Sequence, residues 1–307
     1  MKAAFFMRTG GPEVMQYGDL PDAVAGPGQV LVDVHAASVN GADWQVRSGG
    51  YAAAPRFPHV LGRDFSGVVA ALGEGGSDFA VGDPVFGVAE RTAEGCYAEK
   101  LAIGAAIVAR KSDLLSHVEA AAIALAGLTA LVSIEDTLKL KRGETILIQG
   151  GAGGAASFAI QVAKHIGARV ISTASAANLD YVRTLGADQV IDYNAQDFTR
   201  VVSGCDAVFE TVGGDVAVRS FAVLRPGGRA AFIASGPRAP APPRPDLVSL
   251  RPDVRRDRPH LERIVALVES GAVRVPEIRT YRLSEVVEAH RVSEGRHLRG
   301  KLVFVVR

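Results

Sequence analysis

ETILIQGGAGGAASFAIQVAKHIGARVISTAS, residues 144–175, decides the fold. Its first apolar run, Thr145 to Ile148, is short and rich in β-branched residues, the pattern of a strand buried on both faces. A glycine-dense turn follows. Ala155 to Ile166 then carries apolar residues at helical spacing, Gly167 closes that helix, and Arg169 to Thr173 reads as a second buried strand. Together they predict a βαβ unit. Gly151, Gly153 and Ala156 fit the G-x-G-x-x-G/A dinucleotide pattern, in which one glycine makes the tight turn, the next lets backbone approach a diphosphate, and a small third residue seats the helix on the strand. At the start of the helix, Gly154 and Ala155 add N–H groups and about half a positive charge for phosphate. Glycine clusters also occur in ordinary turns, so the flanking strand, helix and second strand carry the assignment.

The bulk properties frame this reading. A chain of 307 residues has room for two domains, because one core seldom grows past about 250 to 300 residues. With 48% hydrophobic and 22% charged residues it has the composition of a soluble globular protein. A formal net charge of +1 argues against nucleic acid or a membrane surface as partner, and the arginines at 251, 255, 256 and 258 read as a solvated loop and helix start. The N-terminal apolar segment is too short for a signal peptide, and no run approaches the roughly 20 apolar residues of a membrane span, so a cytoplasmic protein is expected. Cys96 and Cys205 are too few and too distant for a disulfide framework or a zinc cluster.

Before the central unit the chain is rich in short strands. Val30 to His35, Gly67 to Ala71 and Pro84 to Val88 are separated by turns at Pro27-Gly28, Gly75-Gly76 and Gly82-Asp83-Pro84, which suggests a barrel-like fold. From Leu114 an alanine-rich helix begins, with Ser116 and Glu119 spaced as a capping box. After the central unit, helices at 179–185, 198–202 and 216–224 alternate with strands at 189–191, 207–209 and 229–234, predicting a parallel sheet covered on both faces. Prolines at 237, 240, 242, 243, 245, 252 and 259 exclude a long helix or central strand there, leaving a connector or flap. Helices at 261–269 and 284–290 and a last strand at 301–306, returning to the first domain, complete the chain. The predicted domains are 1–115 with 257–307, and 116–256.

The sequence resembles the medium-chain dehydrogenase/reductases, and within them the zinc-independent, zeta-crystallin-like quinone oxidoreductases. The resemblance rests on SVNGADWQVRSG (38–49), VLGRDFSGVVAALGEG (60–75), VGDPVFG (81–87), ALAGLTA (124–130), the glycine turn, LGADQVIDY (185–193), FETVGG (209–214), LRPGG (224–228) and RGKLV (299–303). It implies an α/β protein in which a Rossmann-type, doubly wound parallel sheet joins a GroES-like, β-rich catalytic domain. Zinc-dependent relatives have a cysteine where this chain has Val39-Asn40 and a Gly-His-Glu where it has Gly62-Arg63-Asp64, so no metal is expected. His59 reads as a surface or cleft residue.

An NAD site usually places an acidic residue at the ribose about 20 residues past the glycines. Here Ser172, Thr173, Ser175 and Asn178 occupy that region, with no carboxylate before Asp180. Hydroxyl and amide donors there favour the 2′-phosphate of NADPH, and Ser175 and Asn178 can equally cap the next helix. The resemblance implies that Tyr193 packs beside the adenosine half of the cofactor and that Asn40, Thr129, Ile233 and Lys301 approach its nicotinamide half. Gln45 stands where some similar plant alkenal reductases have lysine, and its amide can donate a hydrogen bond. The implied reaction is hydride transfer to a quinone or to the β-carbon of an enone. Tyr51 is the candidate donor to the acceptor oxygen, beside Asn40 as a second catalytic candidate, although an aromatic lid serves as well for Tyr51. Asp43 and Asp64 read as structural partners of Arg47 and Arg63. An NADPH-dependent quinone reductase, an alkenal or enone reductase, and a non-catalytic NADPH-binding protein all fit this sequence. By resemblance the chain forms a homodimer, with 229–234 as the pairing edge.

Overall fold

The computed structural model describes residues 1–307 except 51–55, 76–77, 91–92, 94 and 237. They divide into two units. Met1–Leu125, Arg256–Glu269 and Glu277–Arg307 form the first; Ala126–Arg255 and Ser270–Pro276 form the second.

In the first unit, β1 (Lys2–Phe6) and β2 (Met15–Asp19) form a hairpin, followed by the long β3 (Gln29–Val39) and the short helix α1 (Gly41–Arg47). Five strands come next: β4 (His59–Val60), β5 (Asp64–Leu72), β6 (Pro84–Val88), β7 (Lys100–Gly104) and β8 (Val108–Arg110). Helix α2 (His117–Leu131) starts at the predicted capping box. Glu119 accepts the Ser116 N–H at 2.8 Å, and the Ser116 hydroxyl accepts the Glu119 N–H at 3.2 Å.

In the second unit the predicted alternation is complete. Strands β9 (Thr145–Ile148), β10 (Arg169–Ala174), β11 (Gln189–Asp192), β12 (Cys205–Glu210), β13 (Leu224–Phe232) and β14 (Val248–Leu250) are joined through helices α3 (Gly154–Ile166), α4 (Leu179–Thr184), α5 (Phe198–Val201) and α6 (Gly214–Arg219). The chain then returns to the first unit with α7 (Arg258–Glu269), β15 (Ile278–Arg282), α8 (Val286–Glu294) and β16 (Lys301–Val305). As the sequence suggested, β16 rejoins the first unit, pairing antiparallel with β3 from Leu302 opposite Val39 to Val305 opposite Ala36.

The sheet of the second unit runs β11-β10-β9-β12-β13-β14, all parallel. The order reverses between β9 and β12, and in such sheets ligands bind at the carboxyl ends beside that reversal. Ile146, Leu147 and Ile148 of β9 have no exposed surface, as expected for a strand covered on both faces. The first unit carries a seven-stranded sheet and the smaller β2-β1-β4 sheet, filled by Phe6, Phe65, Tyr97 and Phe304 among others.

Two sequence expectations change. The segment 229–234 is no free edge: Arg229, Ala230 and Ala231 pair with Val248, Ser249 and Leu250 of β14, so the proline-rich segment contributes a three-residue strand that covers β13. Residues His117–Thr137, α2 and the π-helical stretch Val132–Thr137 that continues it, are also long and apolar enough to cross a membrane, because alanine keeps the helix apolar without bulk. That stretch is 78% buried within the protein, as a core helix is.

Candidate functional site

Glycine turn and cofactor crevice in the second unit

Backbone geometry makes the first part of the site. Gly150 sits at φ 69°, the left-handed conformation that turns the chain out of β9. A Cβ on Gly151 would lie 2.3 Å from Ser172 Oγ and 3.0 Å from Val182 Cγ1, so this glycine lets the turn press against β10. At Gly153 the nearest atom to such a Cβ is the Gly150 carbonyl at 3.3 Å. Gly153 is the N-cap of α3 and has no side chain to satisfy the helix end. The first intrahelical bond runs from Ser157 N–H to Gly153 O at 2.8 Å, which leaves the N–H groups of Gly154, Ala155 and Ala156 for another acceptor. Gly153, Gly154 and Ala155 are half-buried, while Ala156 is buried against the sheet as the third position of the motif requires. Gly167 ends α3 at φ 92°. This turn fits a diphosphate, since it combines close backbone approach with unsatisfied donors at the positive end of a helix.

The adjoining hydroxyls divide into two groups. Ser172 is buried and donates to Ile148 O at 2.7 Å. Thr173 donates to Gln149 Oε1 at 2.7 Å and accepts the Gly150 N–H at 3.0 Å. Both therefore brace the turn from behind and have no free donor for a ribose. Ser175 lies past the end of β10, where Asn178 donates to its hydroxyl at 3.1 Å, and both side chains reach solvent. Tyr193 follows β11, is 44% exposed, and donates its N–H to Ala174 O at 3.1 Å. Ser175, Asn178 and Tyr193 thus gather where the adenosine half was expected. Ile233, half-buried beyond β13, donates its N–H to Glu210 O, and Thr129 is a half-buried residue of α2.

Sequence reasoning missed Gln149 and Glu210. Gln149 is buried and ties three segments together: it accepts from Thr173, its Nε2 donates to Ser220 Oγ at 3.0 Å, and its backbone carbonyl accepts the Thr211 hydroxyl at 2.8 Å. Glu210 ends β12 and accepts the Val212 and Gly213 N–H groups. Burial pushes its carboxyl above the usual carboxylate range, against the pull of those two donors. A polar residue closing an apolar strand was the available signal in both cases.

A closed polar cluster in the first unit

Around the N-terminus of α1 the polar groups satisfy one another. Lys301 is 4% exposed, and its ammonium donates to Val39 O at 2.9 Å and Asn40 Oδ1 at 2.7 Å. Asn40 Nδ2 donates to Asp64 Oδ1 and, at 3.3 Å, to Ser38 O. Asp64 Oδ2 also accepts the Ser38 hydroxyl at 2.8 Å and the Leu125 N–H at 3.1 Å. Burial pulls the Lys301 ammonium below its usual range, opposed by Asp64 and Asp43. An acid on one side and a cation on the other fix which way the Asn40 amide faces. Its N–H groups are spent inside the fold, on Asp64 and on the Ser38 carbonyl.

Asp43 accepts the Asn40 N–H at 2.8 Å and the Tyr97 hydroxyl at 2.6 Å. Arg47 donates through Nε to Gly10 O at 3.1 Å. It reaches α8, with Nη1 3.0 Å from His290 Nδ1 and Nη2 2.8 Å from Glu294. Gln45 is half-buried on α1, and Tyr51 lies outside the described residues. Among the described residues no group of three or more His, Cys, Asp and Glu is placed to hold a metal ion. In the stretches Val39-Asn40 and Gly62-Arg63-Asp64, where the resemblance puts the cysteine and the Gly-His-Glu of zinc-dependent relatives, Asn40 is bonded to Asp64 and to the Lys301 ammonium, a donor set that does not fit zinc.

Relatives

Residues 26–123 match the family described as Alcohol dehydrogenase GroES-like domain, and residues 185–304 the one described as Zinc-binding dehydrogenase. A quinone oxidoreductase of Pseudomonas aeruginosa is 31% identical over 98% of this chain and 98% of its own. An NADPH-dependent alkenal/one oxidoreductase of Arabidopsis thaliana chloroplasts is 31% identical over 99% of this chain and 79% of its own. The crystal structure of Escherichia coli quinone oxidoreductase complexed with NADPH superimposes with a TM-score of 0.91 at 26% identity, covering both chains fully.

Proposed function

The chain belongs to the medium-chain dehydrogenase/reductase family, as its full-length likeness to the Pseudomonas quinone oxidoreductase shows, and on that premise we propose an NADPH-dependent oxidoreductase that reduces quinones without zinc. The uncapped N-terminus of α3 beside the strand-order reversal carries this reading, because it is a ready diphosphate site in a chain whose relatives include an NADPH complex. When bound, the reduced nicotinamide supplies a hydride. The protein contributes position and environment.

In this reading the N–H groups of Gly154, Ala155 and Ala156 hold the diphosphate. Ser175 and Asn178 donate to the phosphate on the adenosine ribose, and Tyr193 packs beside the adenosine. Asn40, held by Asp64 and Lys301, offers its amide oxygen to a hydroxyl or amide of the cofactor's nicotinamide half. It has no free N–H for a developing oxyanion, so water serves as proton donor for a quinol, with Tyr51 the candidate from the chain.

Reduction of an alkenal or enone is the second reading, favoured by the Arabidopsis relative, which has the same 31% identity over a smaller share of its own length. NADPH oxidation with 1,4-naphthoquinone and with a short 2-alkenal separates the two. Faster turnover per KM with the quinone is expected, and a clear preference for the alkenal reverses the order. Protein that binds NADPH yet oxidises it with neither acceptor would be a binding protein. A homodimer is also proposed, with β14 as the outer strand of the sheet. Light scattering at the 32.1 kDa of one chain would contradict it.

A further inference from the structure

One buried group at the crevice has no role in the function above. Glu210 has no exposed surface, and both of its backbone hydrogen bonds arrive on one oxygen: Val212 N–H donates to Oε1 at 2.7 Å and Gly213 N–H at 2.8 Å. Its Oε2 is buried with no hydrogen-bond partner among the described residues. An unsatisfied buried polar atom costs roughly 1–3 kcal/mol, so a fold keeps one where the same group does something an apolar side chain cannot.

The chain after β12 shows what that is. Gly213 and Gly214 lie at φ 85° and 59°, and a Cβ on Gly213 would stand 2.6 Å from the Ala234 carbonyl. This turn is thus left-handed and pressed against the segment that follows β13. On its other side, a Cβ on Gly150 would meet Thr211 Oγ1 at 3.0 Å and Val212 Cγ2 at 3.2 Å. The turn therefore stands directly across from the glycine turn, at the reversal of strand order, with the apolar Val212 left 40% exposed. Helix α6 begins only at Gly214; ahead of it the Glu210 carboxyl holds the Val212 and Gly213 N–H groups.

We propose that Glu210 is a positioning residue of the dinucleotide site: by gripping the Val212 and Gly213 N–H groups it fixes the Thr211–Gly214 turn as one wall of the crevice and presents Val212 to the bound nicotinamide nucleotide. The inference rests on the dinucleotide reading of that crevice. Glu210 acts through backbone and touches neither cofactor nor acceptor.

The test uses the full chain with Glu210→Ala and Glu210→Gln, reading the NADPH dissociation constant by fluorescence, KM for NADPH and kcat with 1,4-naphthoquinone, and the thermal midpoint. Glu210→Ala is expected to raise the dissociation constant and KM at least tenfold while kcat stays within threefold. Glu210→Gln, which keeps an oxygen for both N–H groups, should bind NADPH within threefold of wild type even where its midpoint falls. Affinity that instead falls in step with the midpoint in both variants would leave Glu210 a purely structural residue and overturn the proposal. Should Glu210→Ala fail to fold, hydrogen exchange of the Val212 and Gly213 amides in wild type decides: slowing of tenfold or more on saturation with NADPH supports the wall, and unchanged exchange overturns it. Wild type that does not bind NADPH refutes the dinucleotide reading itself, whereas wild type that binds it with no response at Glu210, Val212 or Gly213 refutes this inference alone.

Discussion

At the N-terminus of α3 the groups offered to a ligand are backbone N–H groups without a side-chain cap; around Asn40 in the other unit, the side-chain donors are already taken by neighbours. The first arrangement is made by leaving side chains out, at Gly151 and Gly153. The second is made by burying an ammonium group and a carboxylate on either side of an amide. Glycine backbone gives the diphosphate a site that depends little on side-chain order, while the Asp64, Asn40 and Lys301 chain holds one amide in a single orientation, its nitrogen on the acid and its oxygen on the cation. The contrast predicts where each region is vulnerable.

The largest effect should come from breaking the closed cluster. Lys301→Met removes the cation and leaves a buried carboxylate uncompensated, which should cost about 3–5 kcal/mol in chemical denaturation. Adding Asp64→Asn should return a good part of it. A loss below about 1 kcal/mol in the single variant would mean that the cluster does not depend on its charges.

How much of this contrast could be read from the chain depends on sequence separation. The glycine turn, β9, α3 and β10 lie within 32 consecutive residues, with periodicity and turn chemistry in agreement, and were legible to within a residue or so. The Lys301 to Asn40 bond joins residues 261 apart, and that from Asn40 to Asp64 joins residues 24 apart, so no local pattern announces either. Resemblance placed Asn40 and Lys301 near a cofactor without showing that they hold each other. Ser172 and Thr173 were misleading for another reason. A strand hydroxyl can point to solvent or back into the turn, and only the packing of Gly151 on β10 decides. The covering of β13 by β14 was hidden because proline argues against strands in general, yet three residues between the prolines suffice for an edge.

Acid sharpens the comparison. Burial holds His290 at about 3 and His117 at about 4, both in the first unit. Folded-state values below the unfolded value of about 6.5 mean that the folded protein keeps these imidazoles neutral. Their contribution is thus fully present above that pH and is lost as pH falls toward the folded values. Near full effect, His290 alone should cost about 1.4 kcal/mol per pH unit, and His290→Asn should flatten the slope of stability between pH 6 and 4. An unchanged slope would remove the buried imidazole from the account.

Two glycines separate fold from binding within the second unit. Gly151→Ala should cost about 1–3 kcal/mol of stability, because its Cβ would lie 2.3 Å from Ser172 Oγ. Gly153→Ala should cost under about 1 kcal/mol of stability yet weaken NADPH at least tenfold, about 1.4 kcal/mol, by placing a methyl group where the diphosphate approaches. If Gly153→Ala binds normally, the diphosphate does not lie over α3. Of similar size is the choice of cofactor: titration should show at least tenfold tighter binding of NADPH than NADH, and equal dissociation constants would remove Ser175 and Asn178 as partners of the 2′-phosphate.

A crystal structure of the chain with NADPH bears most directly on the central claim. The account predicts diphosphate oxygens within hydrogen-bonding distance of the N–H groups of Gly154 and Ala155, with Val212 against the nicotinamide half. A diphosphate held elsewhere, with side chains closing over the α3 N-terminus, would contradict it.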